Sequence, residues 1–144
     1  MTERHRKHLS PHFTLYEFTR SGVAIDNCID NFPPAAERAA LTALCDHVLE
    51  PLRARFGPIV VSSGYRCRRV NALAGGVPSS QHVKGEAADI VASSPELLRA
   101  YFSFVRGNLD FDQLILEPAG SPTPRWLHVS YTSRRANRRK VVEG

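Results

Sequence analysis

Chemistry is most legible in the stretch Ser80-Gln81-His82-Val83-Lys84-Gly85-Glu86-Ala87-Ala88-Asp89. His82 ends a loop, Gly85 permits a turn, and Asp89 falls inside the apolar run Ala87-Ala88-Asp89-Ile90-Val91. A carboxylate buried in such a run is costly unless it is paired or bound to a metal. The spacing therefore leaves two readings of Asp89: a metal ligand shared with His82, or an acid that pairs with a nearby arginine or caps a turn. His128 lies 39 residues beyond Asp89, within Trp126-Leu127-His128-Val129-Ser130-Tyr131. Strand alternation puts Trp126, His128 and Ser130 on one face. By itself a histidine in mid-strand is more often a satisfied core or surface residue than a ligand.

These groups need a frame to position them. Leu41, Leu44, Val48, Leu52 and Phe56 recur every three or four residues, which predicts a helix over 34–56. Asn31 and the Pro33-Pro34 pair suit its start, Pro51 should kink or locally break it, and Gly57-Pro58 ends it. A short helical turn is expected around Leu15–Arg20, followed by loop. Ile59–Ser62 reads as a short strand, Arg66–Ala74 as a brief helix closed by Gly75-Gly76, 77–85 as a loop, and Glu86–Ala92 as a strand. Ser94-Pro95-Glu96 has the residue types of a helix start, and that helix should run to about Arg106 with Leu98, Tyr101, Phe102 and Val105 inward. Gln113–Glu117 and Trp126–Thr132 read as two further strands. Helices come first and strands are scattered later, which predicts an α+β fold with a small, mainly antiparallel sheet flanked by helices.

Composition narrows the class. The chain has 144 residues, 42% hydrophobic and 23% charged, which fits one domain. No apolar run approaches the roughly 20 residues needed to span a membrane, and no apolar segment of a secretory signal peptide follows the polar N-terminus. Cys28, Cys45 and Cys67 make an odd count with no C-x-x-C pair, so neither a disulfide framework nor a cysteine zinc knuckle is expected. The net charge of +5 resides at the ends: 1–8 carry +2, 132–144 carry +4, and the body carries −1. A basic tail can adhere to polyanions or remain a solvated terminus. The body shows no basic face, so nucleic acid is not expected as a partner.

Ser62-Ser63-Gly64-Tyr65-Arg66, then Asn71, then Ser80-x-His82-x-x-Gly85-x-Ala87-x-Asp89, then Trp126-x-His128-x-Ser130 together resemble the zinc D-Ala-D-Ala carboxypeptidases of peptidase family M15. Phe13-Thr14-Leu15, Glu17-Phe18 and Leu49-Glu50-Pro51-Leu52-Arg53 resemble one branch of it, so the likeness spans roughly 10–131. It implies the fold shared by Hedgehog domains and DD-peptidases, a Zn2+ cofactor and the ligands His82, Asp89 and His128. Two imidazoles and one carboxylate leave a fourth position for water, as a catalytic zinc requires, and zinc lowers the pKa of such water to about 7. The resemblance further implies a peptidase acting on bonds involving D-amino acids in peptidoglycan stem peptides or cross-links.

A general base is also needed. Some branches keep an acid three residues before the final histidine, where this chain has Arg125. Attention therefore moves upstream to Glu117, at the end of its strand, with Asp112 in reserve. Arg66 matches the family arginine that serves a substrate carboxylate or the developing oxyanion. Ser80 and Gln81 are expected to contact substrate or orient His82, and Tyr65 to line the cleft or pack. The expected organisation is an N-terminal arm (1–12), a peptidase domain (13–131) and a basic tail (132–144), acting as a monomer. Its partner is a peptidoglycan peptide. Without a visible signal peptide, the protein is expected in the cytoplasm as synthesised and on the cell wall if released. A serine triad of Ser80, His82 and Asp89 is disfavoured because no G-x-S-x-G elbow accompanies it. The remaining alternative is an inactive zinc-containing module that only binds cell-wall peptides. Within the enzyme reading, carboxypeptidase and endopeptidase or endolysin action both stay open.

Overall fold

The structure, a computed structural model, describes residues 3–142. The chain order is β1 (His8–Ser10), β2 (Phe13–Thr14), α1 (Leu15–Thr19), α2 (Gly22–Asp26), α3 (Ala35–Leu44), a π turn (Cys45–Leu49), α4 (Glu50–Phe56), β3 (Val60–Ser63), α5 (Arg68–Leu73), β4 (Ala87–Val91), α6 (Pro95–Asn108), β5 (Gln113–Glu117), β6 (Trp126–Ser130) and β7 (Lys140–Val142). The class is α+β. A five-stranded sheet runs in the order β3-β4-β6-β5-β7, with a two-stranded sheet of β1 and β2 apart from it. Pairings within β3-β4-β6-β5 are antiparallel, whereas β7 adds to β5 in parallel, so the large sheet is mixed.

The expected helix over 34–56 forms, but as two α segments around a π turn. Pro51 has no N–H to give the carbonyl four residues back, and its ring crowds that carbonyl; a wider turn ahead of it relieves both. Asn31 does not cap α3, whose N-cap is Pro34. Instead its amide donates to Thr19 O and Tyr65 O and its carbonyl accepts from Cys67 N, tying three segments together. Residues 22–26, expected as loop, form α2, capped by Ser21 accepting from Ala24 N. Ser94 caps α6 as its sequence predicts, accepting from Leu97 N, and Leu98, Tyr101, Phe102 and Val105 are buried.

One face of the sheet is core. Ala88, Ile90, Leu114, Leu127 and Val129 are fully buried beneath α6, which packs on β5, β6 and α4. Leu44, Leu49 and Leu52 join them from the long helix. Burying each side chain of this size contributes roughly 1.5–3 kcal/mol, which fixes strand register, because a one-residue slip would turn the whole apolar set outward.

Both ends depart from the expected arm and tail. Ser10 Oγ and His12 N donate to Glu50 Oε2 at 2.6 and 2.8 Å, and His12 Nδ1 lies 2.7 Å from Glu50 Oε1, which fastens the β1–β2 hairpin to α4. At the other end Arg134 pairs with Glu86, and Arg135 and Arg138 pair with Asp112. Carboxylates on the body thus recruit cations that composition alone reads as a solvated tail. Met1, Thr2, Glu143 and Gly144 lie outside the described residues.

Candidate metal centre

The sheet face opposite the core carries the site. Asp89 on β4 is the register partner of His128 on β6, and His128 is in turn opposite Ile115 on β5. Partners across an antiparallel ladder project from the same face, so two chemically active side chains are brought together by register alone. His128 Nδ1 lies 2.9 Å from Asp89 Oδ1. The third residue arrives from the 77–85 loop: His82 Nε2 is 3.4 Å from the same oxygen. One ligand atom from each of His82, Asp89 and His128 can be chosen so that all lie within 4.8 Å of one another.

His82 is 4% exposed, and its orientation is built by backbone. Its Nδ1 lies 2.6 Å from Gly64 O. A carbonyl can only accept, so Nδ1 carries the proton and Nε2 keeps its lone pair toward the cluster. Gly64 is required by packing: a Cβ there would sit 2.7 Å from Phe18 Cα and Phe18 O. The chain reaches Gly64 through an irregularity in β3 between Val61 and Ser63 that adds one residue opposite β4, the kind of bulge that re-aims the residues after it. Ser80 Oγ accepts from His82 N at 3.2 Å and steadies the other side of the histidine. At Gly85, φ is +70° and a Cβ would run into Glu37 O, so the turn between His82 and Asp89 requires glycine.

Asp89 is buried, which alone would push its carboxyl pKa up, but the imidazoles of His128 and His82 more than offset this and hold it well below the ordinary carboxylate range. Arg66 Nη2 stands 3.8 Å from Asp89 Oδ2. Ser63 Oγ accepts from Arg66 Nε at 3.3 Å and Asn71 Oδ1 from Nη1 at 3.4 Å, so the guanidinium is held at the edge of the cluster. Both readings of Asp89, metal ligand and arginine partner, thus meet at one place. The donor set suits a metal: one imidazole nitrogen is freed by a fixed tautomer, one carboxylate is kept ionised, and a second imidazole nitrogen points at the same centre. Two nitrogens and one oxygen within reach of a point are a zinc-type set with a position left for water.

Glu117 and Asp112 separate clearly. Glu117 is opposite Trp126, two residues along the ladder from the Ile115–His128 pair and so on the same face. Asp112 is fully buried and takes both its oxygens into contacts with Arg135 and Arg138. The reserve candidate for the base is therefore an anchor for the C-terminal segment. Arg125 is exposed, with its guanidinium 5.6 Å from the Trp126 ring. Tyr65 is 6% exposed and belongs to the core cluster, leaving it little surface for a substrate. Gln81 Nε2 donates to Glu86 Oε1, while its Oε1 is buried with no partner.

Beside His128 opens a cavity of about 490 Å³, lined by Ser80, Gln81 and His128 together with Arg134, Arg135 and Arg138. The role of Gly64 O carried no side-chain signal in the sequence, and the arginine wall was hidden because ion pairing with distant acids cannot be read from composition. Cys28, Cys45 and Cys67 are free thiols.

Among the described residues no helix is long and apolar enough to cross a membrane. No curated protein matches the chain. A family profile described as Peptidase M15 matches residues 11–110, more than half of the chain, including His82 and Asp89 and stopping short of Glu117 and His128. The His82–Asp89–His128 cluster and that match lead to one assignment: this chain belongs to the peptidase M15 family.

Proposed function

We propose that the protein is a zinc metallopeptidase that hydrolyses bonds involving D-amino acids in peptidoglycan stem peptides or cross-links. The observation that carries this reading is the convergence of His82, Asp89 and His128 on one point, with Glu117 on the same sheet face. Zinc held there would acidify water and polarise a peptide carbonyl. Gly64 O keeps the His82 proton on Nδ1, so that Nε2 is the binding atom. Asp89 stays ionised between its two histidines and offers a second. His128 presents Nδ1 from the strand beside it.

Glu117 then serves as the general base. Its carboxylate takes a proton from the attacking water and returns it to the leaving nitrogen, a transfer typically worth 10²–10⁴-fold in rate. Arg66, fixed beside Asp89 by Ser63 and Asn71, meets the negative charge that develops on the carbonyl oxygen or a substrate carboxylate. Ser80 acts through its hold on the His82 backbone, and Gln81 lines the cavity beside His128.

The decisive experiment is mass spectrometry of muropeptides digested with zinc-loaded wild type and Glu117→Gln. Wild type should release products and reveal whether a terminal or an internal bond breaks. Glu117→Gln should keep zinc while hydrolysis falls by about 10²-fold or more. Full activity in the variant would remove Glu117 from the mechanism, and an inert wild type would instead favour a module that only binds cell-wall peptides.

A further inference from the structure

The C-terminal arginines do more than close the fold. Arg134 occupies Glu86 through Nε at 2.7 Å and Nη2 at 2.9 Å. Arg135 and Arg138 meet Asp112 at 2.7–3.1 Å. The two carboxylates lie almost wholly inside the protein, with side chains 3% and 0% exposed, whereas the three arginine side chains are 52%, 39% and 49% exposed. Glu86 thus grips one guanidinium and Asp112 two from the buried side, and all three arginines line the cavity beside His128. Lys84 lines the same cavity, and among the described residues its side chain has no ion-pair partner. Four cations face two buried anions, so the wall carries an excess of two positive charges. Gln113 also lines this cavity, two residues along β5 from Ile115, the register partner of His128. That step is about 7 Å, or about two residues of an extended peptide.

We propose that Lys84, Arg135 and Arg138 form a subsite for a carboxylate carried by the peptide substrate about two residues from the bond that is cut. The inference rests on the metallopeptidase reading and deepens it by naming a specificity determinant. Guanidinium edges pre-positioned by buried acids suit a carboxylate through paired N–H donors, and the side-chain cost of ordering them is already met in the folded protein.

The test uses the zinc-loaded full chain and pairs of D-Ala-D-Ala peptides bearing glutamate or glutamine two residues from the scissile bond, on either side of it. Wild type should favour the glutamate peptide by about tenfold in kcat/KM in at least one of the two placements, the value of one charge-assisted contact. Lys84→Gln and Arg138→Gln should each reduce that ratio to about threefold or less. Arg138→Gln leaves Asp112 paired with Arg135, and a thermal melt checks its fold; if it does not fold, Lys84→Gln carries the test alone. Equal kcat/KM for the two peptides in wild type overturns the proposal, as does a ratio that survives substitution. If neither peptide is cut, D-Ala-D-Ala is not the bond opened, and calorimetric binding of the same pair decides the subsite separately. Tighter binding of the glutamate peptide that Lys84→Gln abolishes sustains it, and equal binding refutes it.

Discussion

Replacing Asp112 by asparagine separates an anchor from a catalytic acid. The side chain is fully buried. Its Oδ1 accepts from Arg135 Nη1 at 2.7 Å, Arg138 N at 3.0 Å and Arg138 Nε at 3.1 Å, while Oδ2 accepts from Arg138 Nη2 at 2.8 Å and Arg135 Nη2 at 3.1 Å. Asparagine keeps the volume and one acceptor oxygen, so no cavity opens. It puts an NH2 group where Oδ2 stood, facing two arginine donors, and deletes the charge that the rest of the network holds. Losing two charge-assisted bonds would cost about 3–6 kcal/mol at the usual 1.5–3 kcal/mol each. Both arginines are half-exposed and can turn to solvent, so the lower end, about 3 kcal/mol, is the expected loss. For a domain of this size that is a drop of about 6–12 °C in Tm. Differential scanning calorimetry measures it, and hydrogen exchange should show amides of 138–142 losing protection first, because Arg138 N and the β5–β7 pairing depend on this anchor. An unchanged Tm would refute the reasoning. So would an intact fold with all peptidase activity lost, which would return Asp112 to the role of base.

Two other outcomes come from the same geometry. Gly64→Ala places a methyl group 2.7 Å from Phe18 backbone atoms; overpacking of this kind costs about 1–3 kcal/mol, and displacement of Gly64 O from His82 should weaken zinc affinity by about tenfold or more, read by competition with a chromophoric chelator. Asp112 and Glu86 are each raised in pKa by burial but lowered further by their arginines, so both sit below their ordinary values. A depressed folded pKa contributes stability above the unfolded value and loses it as pH falls through the folded one; Tm should therefore begin to decline below about pH 4 and continue downward, and the decline should flatten in Asp112→Asn combined with Glu86→Gln.

How much of the fold and site is legible in advance depends on the range of the interaction. Ser94-Pro95-Glu96 announces α6, and the 3.6-residue period of its apolar positions names the buried face, because capping and amphipathicity are local. The same holds for β4 and β6, where alternation puts Asp89 and His128 on defined faces. No local rule supplies the register that sets those two residues opposite each other, since pairing between strands 39 residues apart is decided by the packing of the entire sheet. Resemblance supplies it instead, and the ladder gives the physical reason.

The ends of the chain show the opposite limit. Arg134, Arg135 and Arg138 read as a solvated run because composition sees their charge and not their partners. Those partners are visible separately: Glu86 opens an apolar strand and Asp112 follows Phe111 at the start of another, both odd places for an unpaired carboxylate. A buried acid needs a cation or a metal, at these two positions as much as at Asp89. Two acids of the body therefore require cations from elsewhere, and the densest supply in the chain is 134–140. Among the described residues the three buried acids, Glu86, Asp89 and Asp112, divide by the partner each finds. Arginines neutralise two of them and close the fold. The third is given histidines, whose nitrogens can serve a metal as well as a proton, and that difference sets Asp89 apart from the two structural acids.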